Sequence, residues 1–174
     1  LIDKKVREFN DFTYQDQIND KLITEFKRIL NYFIDYEVRD KVIQRLLEIN
    51  KIKVNLSKFY LSKNHIIKLA NNNMVLGSHT VSHRVLSKLS KETQHSEIKS
   101  SFDLINSYSN SDISTFCFPY GGFHSFNNHT IKILNNIKCS FSFNVEPRNI
   151  TKKDRIKNIH KLPRFDCNFF KFGK

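Results

Sequence analysis

The sequence predicts an α/β fold in which parallel strands alternate with helices, behind a helical N-terminal segment. Apolar residues recur at helical spacing through the first sixty residues, and no Gly or Pro interrupts residues 1–76. From residue 62 onward, short β-type runs alternate with helical stretches, which is the pattern of parallel sheets. The few glycines and prolines then fall at the ends of the predicted strands, where parallel α/β proteins bind their ligands.

The N-terminal segment, residues 1–57, is predicted to be helical. Two apolar triplets lie at i, i+4 and i+7, namely Phe26, Leu30 and Phe33, then Val42, Leu46 and Ile49. This spacing places each triplet on one face of a helix. We interpret the segment as an insertion in, or a flank of, the domain that residues 58–174 form.

The rest of the chain is predicted to alternate between helices and three or four strands. Ser62 and Ser90 are suitable N-caps for two of the helices, and a third helix is expected over residues 127–136. The predicted strands cover residues 74–77, 113–118, 139–145 and, as a short fourth strand, 159–162. Phenylalanine dominates the aromatic residues, with 16 Phe and no Trp, so we expect a core built on phenylalanine.

The composition excludes a membrane-spanning chain and leaves nucleic-acid binding as an alternative. The formal net charge is +12, but the lysines are spread from Lys4 to Lys174, which favours a solvated basic surface. No apolar run approaches the roughly 18 residues of a transmembrane helix, and no signal-peptide pattern opens the chain. Three widely spaced cysteines without a Cys-x-x-Cys pair indicate reduced core residues in a cytosolic protein, so we expect a cytoplasmic location.

Two loops that follow predicted strands carry the candidate chemistry. The first contains His79 and His83, whose imidazoles would lie on one face of a helical segment and could share one metal ion. Such pairs are also common as surface or N-cap histidines. The second loop contains Pro119-Tyr120-Gly121-Gly122, which on its own is also compatible with a simple tight turn.

Together the two loops resemble the NodB-type polysaccharide deacetylases, which are metal-dependent carbohydrate esterases. The segment His79-Thr80-Val81-Ser82-His83 matches the family's His-(Ser/Thr)-x-x-His metal motif, and Pro119-Tyr120-Gly121 matches the end of its Arg-x-Pro-Tyr motif. The segment from Leu86 to Ser90 and the pair Glu97-Ile98 resemble the helix between these motifs. The resemblance covers roughly residues 58–170 and implies a partial or distorted (β/α) barrel.

Three departures from the family pattern affect the expected site. The family's Thr-Phe-Asp-Asp-Gly motif, which supplies the catalytic base and the third metal ligand, occurs nowhere in the sequence. Because the chain begins at Leu1 and its one Met is Met74, we expect this motif to lie upstream. Cys117 occupies the Arg position of the second motif, and the general-acid histidine of the family has no clear counterpart, since His160 lies in a different local context.

The resemblance implies a hydrolase that removes acetyl groups, most simply N-acetyl groups, from a carbohydrate or polysaccharide. His79 and His83 would be ligands of a divalent metal, Zn²⁺ in our expectation, and Pro119 and Tyr120 would form the groove and the oxyanion site. The segment Leu162-Pro163-Arg164-Phe165-Asp166 resembles the end of some family branches, which makes Arg164 and Asp166 candidate site residues. A structural salt bridge is the alternative for these two residues.

Two other functions remain open from the sequence. A relative of the deacetylases that has lost catalysis would keep the fold and bind glycans. A basic nucleic-acid-binding domain would show binding that weakens steeply with salt and would take up no metal. We expect the first function, with a carbohydrate as partner and no nucleic acid.

Overall fold

The computed structural model describes residues 13–14, 17–109 and 111–171 of the chain. Within these residues the helices are α1 Lys21–Arg28, α2 Tyr36–Ile49, α3 Lys63–Asn71, α4 Lys91–Asn106, α5 Asn128–Asn136 and α6 Lys152–Lys157. The strands are β1 Gly77–Ser78, β2 Thr115–Cys117, β3 Phe141–Val145 and β4 Leu162–Arg164.

The four strands form one parallel sheet in the order β1-β2-β3-β4. Thr115 of β2 lies between Gly77 of β1 and Phe141 of β3, and Phe143 pairs with Leu162 of β4. A helix follows each of the first three strands, as parallel connections require. Within the described residues the sheet does not close on itself, so the predicted α/β fold and incomplete barrel are confirmed.

The core lies between the sheet and helices α4 and α5, and it is built on phenylalanine as predicted. Phe116 on β2 stacks against Phe102 of α4, with ring centroids 6.1 Å apart. Phe118 stacks on Phe126 at 3.8 Å. The other buried members of this cluster are Leu86, Ile98, Ile133, Leu134 and Cys139.

Caps fix the starts of the helices that flank the sheet. Ser62 accepts a hydrogen bond from the His65 N–H at the start of α3, and Ser90 accepts one from the Thr93 N–H at the start of α4. Both capping residues are the ones predicted from the sequence. Asn127 caps α5, so this helix begins one residue later than the predicted range.

The N-terminal helices pack against the loop that follows β1. The Tyr36 hydroxyl accepts a hydrogen bond from the Val85 N–H at 2.8 Å, and the Lys88 ammonium donates to the Ile34 carbonyl at 2.9 Å. Helix α1 continues directly into one π-helical turn over Ile29–Phe33. The helical prediction is therefore confirmed for residues 21–33 and 36–49 and is wrong for residues 17–20 and 50–55, which form no helix, whereas residues 1–12 lie outside the described part of the chain.

Two predicted strands are displaced in the structure. The first begins only at Gly77, and Met74 and Val75, which were predicted to lie in this strand, are outside it and each 55% exposed. The fourth covers Leu162–Arg164, so Pro163 lies inside it rather than after it. This strand is at the edge of the described sheet, where a residue without an N–H donor is tolerated.

The cysteines are free, but only one of them is a core residue. Cys139 is buried, Cys117 is partly buried and Cys167 is exposed. The expectation of three core cysteines is therefore wrong for Cys167, which lies in the 3₁₀ turn after β4. No helix in the described ranges has the length and apolar character needed to cross a membrane.

Candidate functional site

A cleft of about 870 Å³ opens at the carboxyl ends of the strands. Residues that follow each strand line it: His79 and His83 after β1, Tyr120 after β2, Val145 and Pro147 at the end of β3, and Arg164 and Asp166 at the end of β4. This position agrees with the general location of sites in parallel α/β folds. The structure thus brings His79, His83, Tyr120, Arg164 and Asp166, the candidates from three different strand ends, to one cleft.

The two histidines lie together because the loop after β1 turns sharply. The segment is not helical, since Thr80 and His83 both have left-handed backbones with φ of 66° and 52°. The rings of His79 and His83 nevertheless meet edge to face, with centroids 4.8 Å apart. From the sequence we predicted that His79 and His83 lie close together on one face of a helix. In the structure they lie close together because the loop makes a tight turn.

Glu97 on α4 holds this turn in place. Its Oε2 accepts hydrogen bonds from the Val81 and Ser82 N–H groups at 3.0 and 2.8 Å, and its Oε1 accepts one from the Ser82 hydroxyl at 2.6 Å. Thr80 adds a bond within the loop, because its Oγ1 accepts from the His83 N–H at 3.1 Å. These bonds compensate for the cost of two residues in the left-handed region.

Replacing Glu97 by glutamine is expected to loosen the loop that carries the histidines. The amide side chain has one acceptor oxygen, so it cannot accept all three hydrogen bonds. We expect a loss of about 1–2 kcal/mol in the free energy of unfolding and a metal affinity lower by roughly 10- to 100-fold, as for other groups that support a ligand. Urea denaturation and Co²⁺ titration measure the two effects.

Glu48→Gln is the matched control, because the Glu48 carboxylate is exposed and its partners within the described ranges are Arg45 and Gln44 on its own helix. Such a surface pair contributes little to stability. Equal metal affinities for Glu97→Gln and the unchanged protein would contradict the role assigned to Glu97.

The histidine pair has the chemistry of a metal-binding pair. His79 Nδ1 lies 2.8 Å from the Cys117 carbonyl oxygen, so this nitrogen carries the proton and Nε2 keeps its lone pair. Burial lowers the pKa of both His79 and His83, which keeps the imidazoles neutral at pH 7. The two residues therefore fit a divalent metal, although the described residues contain no group of three His, Cys, Asp or Glu that could hold one.

Stability is expected to fall as the pH is lowered below about 6.5, the usual pKa of histidine. Burial lowers the folded-state pKa of His79, His83 and His160, so below pH 6.5 the unfolded chain binds more protons than the folded one. The free energy of unfolding therefore decreases with falling pH through this window. Urea midpoints at pH 7.5 and 5.5 test this, and the difference should shrink in His160→Gln.

The bend after β2 places Tyr120 beside the histidines. The ring centroids of His83 and Tyr120 are 5.0 Å apart. Tyr120 and Gly121 both have positive φ, 65° and 71°, and the Gly121 carbonyl accepts a hydrogen bond from the Val145 N–H at 2.7 Å. Pro119 is buried behind the bend and does not line the cleft. Within the described residues the Tyr120 N–H donates no hydrogen bond, which leaves it available to a ligand.

Arg164 and Asp166 line the cleft at the end of β4. The nearest approach of their charged atoms is 3.7 Å, which makes a loose ion pair, and the buried Arg164 Nε has no hydrogen-bond partner among the described residues. Asp166 also accepts from the Asn168 N–H at 3.1 Å and so caps the turn that follows β4. Arg164 also interacts with the Cys117 thiol, whose pKa is raised by burial. The Arg164 guanidinium therefore places a positive charge beside Cys117, which occupies the position of the arginine in the family's second motif.

The structure adds cleft residues that the sequence analysis missed. Tyr14, Tyr32 and His124 all line the cleft, although they lie far apart in the chain. His160 does not line it, because its ring is buried between the Ser142 hydroxyl and the Asn135 side chain, at 3.2 and 3.1 Å. Only the position of His124, two residues after the Pro-Tyr-Gly-Gly segment, was a signal that sequence reasoning could have used.

The fold and the cleft are those of a parallel α/β protein with a histidine pair and a Tyr bend at the carboxyl edge of its sheet. Residues 28–142 match the family described as polysaccharide deacetylase, and the chain belongs to this family. The match begins at residue 28, inside the N-terminal helical segment. No curated protein sequence matches the chain.

One solved structure has a similar fold: the Streptococcus pyogenes deacetylase PplD in complex with acetate. The TM-score is 0.53 at 20% sequence identity, over 60% of this chain and 44% of the PplD chain. The chain thus spans less than half of the PplD structure that it resembles.

Proposed function

We propose that this chain contributes to a metal-dependent hydrolase that removes acetyl groups, most simply N-acetyl groups, from a carbohydrate. The observation that carries the proposal is the position of His79 and His83, whose rings lie 4.8 Å apart and adjoin Tyr120 at the carboxyl edge of the sheet. Family membership supports a carbohydrate as the substrate.

His79 and His83 would hold a divalent ion, Zn²⁺ in this proposal. The bond between His79 Nδ1 and the Cys117 carbonyl supports ligation through Nε2, because it fixes the ring and its tautomer. When bound, such an ion supplies Lewis-acid polarisation of the acetyl carbonyl and activates water at neutral pH. The lowered pKa values of both imidazoles keep their lone pairs free of protons under the same conditions.

Tyr120 would stabilise the charge that develops on the acetyl oxygen during hydrolysis. Its N–H donates to no other group among the described residues, and the positive φ values of Tyr120 and Gly121 fix the bend that presents it. A backbone donor held in this way needs no reorganisation during the reaction. Pro119 would support the bend from behind, and Arg164 and Asp166 would contact the hydroxyl groups of the sugar.

These 174 residues do not supply every group that a catalytic metal site needs. A catalytic zinc site has three protein ligands and an open position, and the sequence contains no Asp-Asp pair to provide the third ligand and the base. We therefore expect no acetate release from the chain by itself. We expect acetate release from a longer form that carries the family's Asp-Asp strand.

The test compares both forms on N-acetylated chitooligosaccharides in the presence of Zn²⁺ or Co²⁺, with acetate as the product measured. A longer form that is folded and binds metal but releases no acetate would contradict the enzymatic proposal. That result would favour a glycan-binding relative without catalysis, which the two-histidine site also suits. The cytoplasmic location expected from the sequence stays a prediction.

A further inference from the structure

The loop between α2 and α3, residues 50–62, is exposed along its whole length and is rich in apolar side chains. None of its residues, all of which the structure describes, lines the cleft. Six large apolar residues, each between 50% and 75% exposed, lie within ten consecutive positions: Ile52, Val54, Leu56, Phe59, Tyr60 and Leu61. Single exposed apolar residues are normal on a protein surface, whereas such a cluster marks an interaction site.

Hydrogen bonds give the α2–α3 loop a defined shape. The Asn55 side-chain oxygen accepts from the Ser57 N–H at 3.1 Å and from the Ser57 hydroxyl at 2.7 Å. These bonds start a 3₁₀ turn over Leu56–Lys58, and the Leu56 carbonyl accepts from the Tyr60 N–H at 3.0 Å. Because the backbone is already ordered, a partner that binds here has less conformational freedom to restrict.

The charged side chains of the α2–α3 loop are all positive. The sequence has no Asp or Glu between Glu48 and Glu92. Glu48 itself pairs with Arg45 at 3.3 Å. Four lysines lie in the loop or directly after it: Lys51, Lys53, Lys58 and Lys63. Among the residues that the structure describes, none of these lysines takes part in an ion pair, so the loop attracts an anionic partner.

Apolar side chains interleaved with lysines suit the surface of an anionic membrane. Leucine, isoleucine and phenylalanine can enter the boundary between headgroups and acyl chains, while tyrosine and lysine place their polar ends at the headgroups. A nucleic acid fits less well, since bases stack on aromatic rings and on arginine. Four of the six apolar residues are aliphatic, and the loop contains no arginine.

We propose that the α2–α3 loop docks the protein on the surface of an anionic bilayer. Phe59, Tyr60 and Leu61 enter the headgroup region, and the lysines contact the lipid phosphates. Each lysine near such a surface raises the affinity by about fivefold. The proposal is independent of the acetyl chemistry proposed above, because no residue of the loop lines the cleft.

The test adds vesicles of equimolar phosphatidylcholine and phosphatidylglycerol, or of phosphatidylcholine alone, to the 174-residue chain. The chain has no Trp, so Phe59→Trp introduces a single indole as a fluorescent reporter. We expect its emission to shift to shorter wavelength at a lipid concentration roughly tenfold or more lower for the anionic vesicles than for the neutral ones. Phe170→Trp, at a phenylalanine that is 59% exposed outside the loop, is the matched control and should show no shift.

Substitutions separate the electrostatic and apolar contributions to vesicle binding. Lys51→Gln with Lys53→Gln should weaken binding to anionic vesicles by roughly 10- to 30-fold. Lys132→Gln with Lys138→Gln removes the same charge from exposed lysines outside the loop, and screening should limit its effect to less than about threefold. Leu61→Ser should weaken binding by about 3- to 10-fold, because less apolar area leaves water. Vesicle sedimentation measures these affinities.

Equal losses in the two lysine pairs would reduce the binding to net charge and overturn the docking surface. A longer form, with the family's Asp-Asp strand, that does not bind the vesicles would overturn it too, because the rest of the protein would then cover the loop. Without a response to vesicles, quenching of the Phe59→Trp indole by single-stranded DNA would assign the loop to a nucleic acid, and a dimer that Leu61→Ser dissociates would assign it to a second copy. None of these readouts needs metal or acetate release, so a failure here leaves the proposed function intact.

Discussion

Replacing Gly121 by alanine is expected to destabilise the protein by about 2–5 kcal/mol. Gly121 has a φ of 71°, and a Cβ atom there would lie 2.9 Å from Val145 Cβ and 3.0 Å from the Val145 nitrogen. The left-handed backbone costs a residue with a Cβ about 1–2 kcal/mol, and overpacking adds about 1–3 kcal/mol. Urea denaturation measures the change in the free energy of unfolding.

The control for this substitution is Gly77→Ala. Gly77 has no positive φ, and the atom that its Cβ would meet most closely is the Thr115 side-chain oxygen, at 2.6 Å. A side chain can rotate away, whereas the Val145 backbone is fixed in β3, so Gly77→Ala should cost less. The double variant Gly121→Ala with Val145→Ala should recover part of the loss. A Gly121→Ala variant as stable as the unchanged protein would contradict the strained bend.

Replacing His79 by asparagine is expected to abolish specific metal binding with little change in fold stability. The asparagine amide can still donate to the Cys117 carbonyl from near the position of Nδ1, but it has no atom at the position of Nε2. The affinity for Zn²⁺ or Co²⁺ should fall by more than the roughly 10- to 100-fold expected for a supporting residue. Calorimetric titration with each metal measures this loss.

His129→Asn serves as the control, since His129 lies on α5 and does not line the cleft. It should bind metal as the unchanged protein does. If His79→Asn retained its affinity while His129→Asn lost it, the metal would bind elsewhere and the proposed function would lose its main support.

The sequence was sufficient to predict the fold class and the residues at the centre of the cleft. Parallel strands align their carboxyl ends, so residues that follow different strands converge without any knowledge of the packing. This argument placed His79 and Tyr120 in one cleft, and the family resemblance added Arg164 as a candidate; the structure has all three there. Capping residues such as Ser62 and Ser90 were equally predictable, because an N-cap depends on a few neighbouring residues.

Other features depend on contacts that local patterns do not encode. Met74 and Val75 have strand propensity, yet β1 starts at Gly77, because only Gly77 and Ser78 pair with β2. Helix α6 was not predicted, since its six residues Lys152–Lys157 show no apolar periodicity and the Thr151 cap marks its start. The bond between Tyr32 and His124 joins residues 92 positions apart. No short-range pattern could have predicted that contact.

The most direct test of the account follows the histidine side-chain nitrogens by NMR while Zn²⁺ is added to ¹⁵N-labelled protein. The seven histidines give separate signals that single substitutions assign. We predict that the Nε2 signal of His79 and a ring nitrogen of His83 shift together at the same Zn²⁺ concentration, while His79 Nδ1 keeps its proton on the Cys117 carbonyl. A shift at only one of the two residues, or equal shifts across all seven histidines, would contradict a shared metal site.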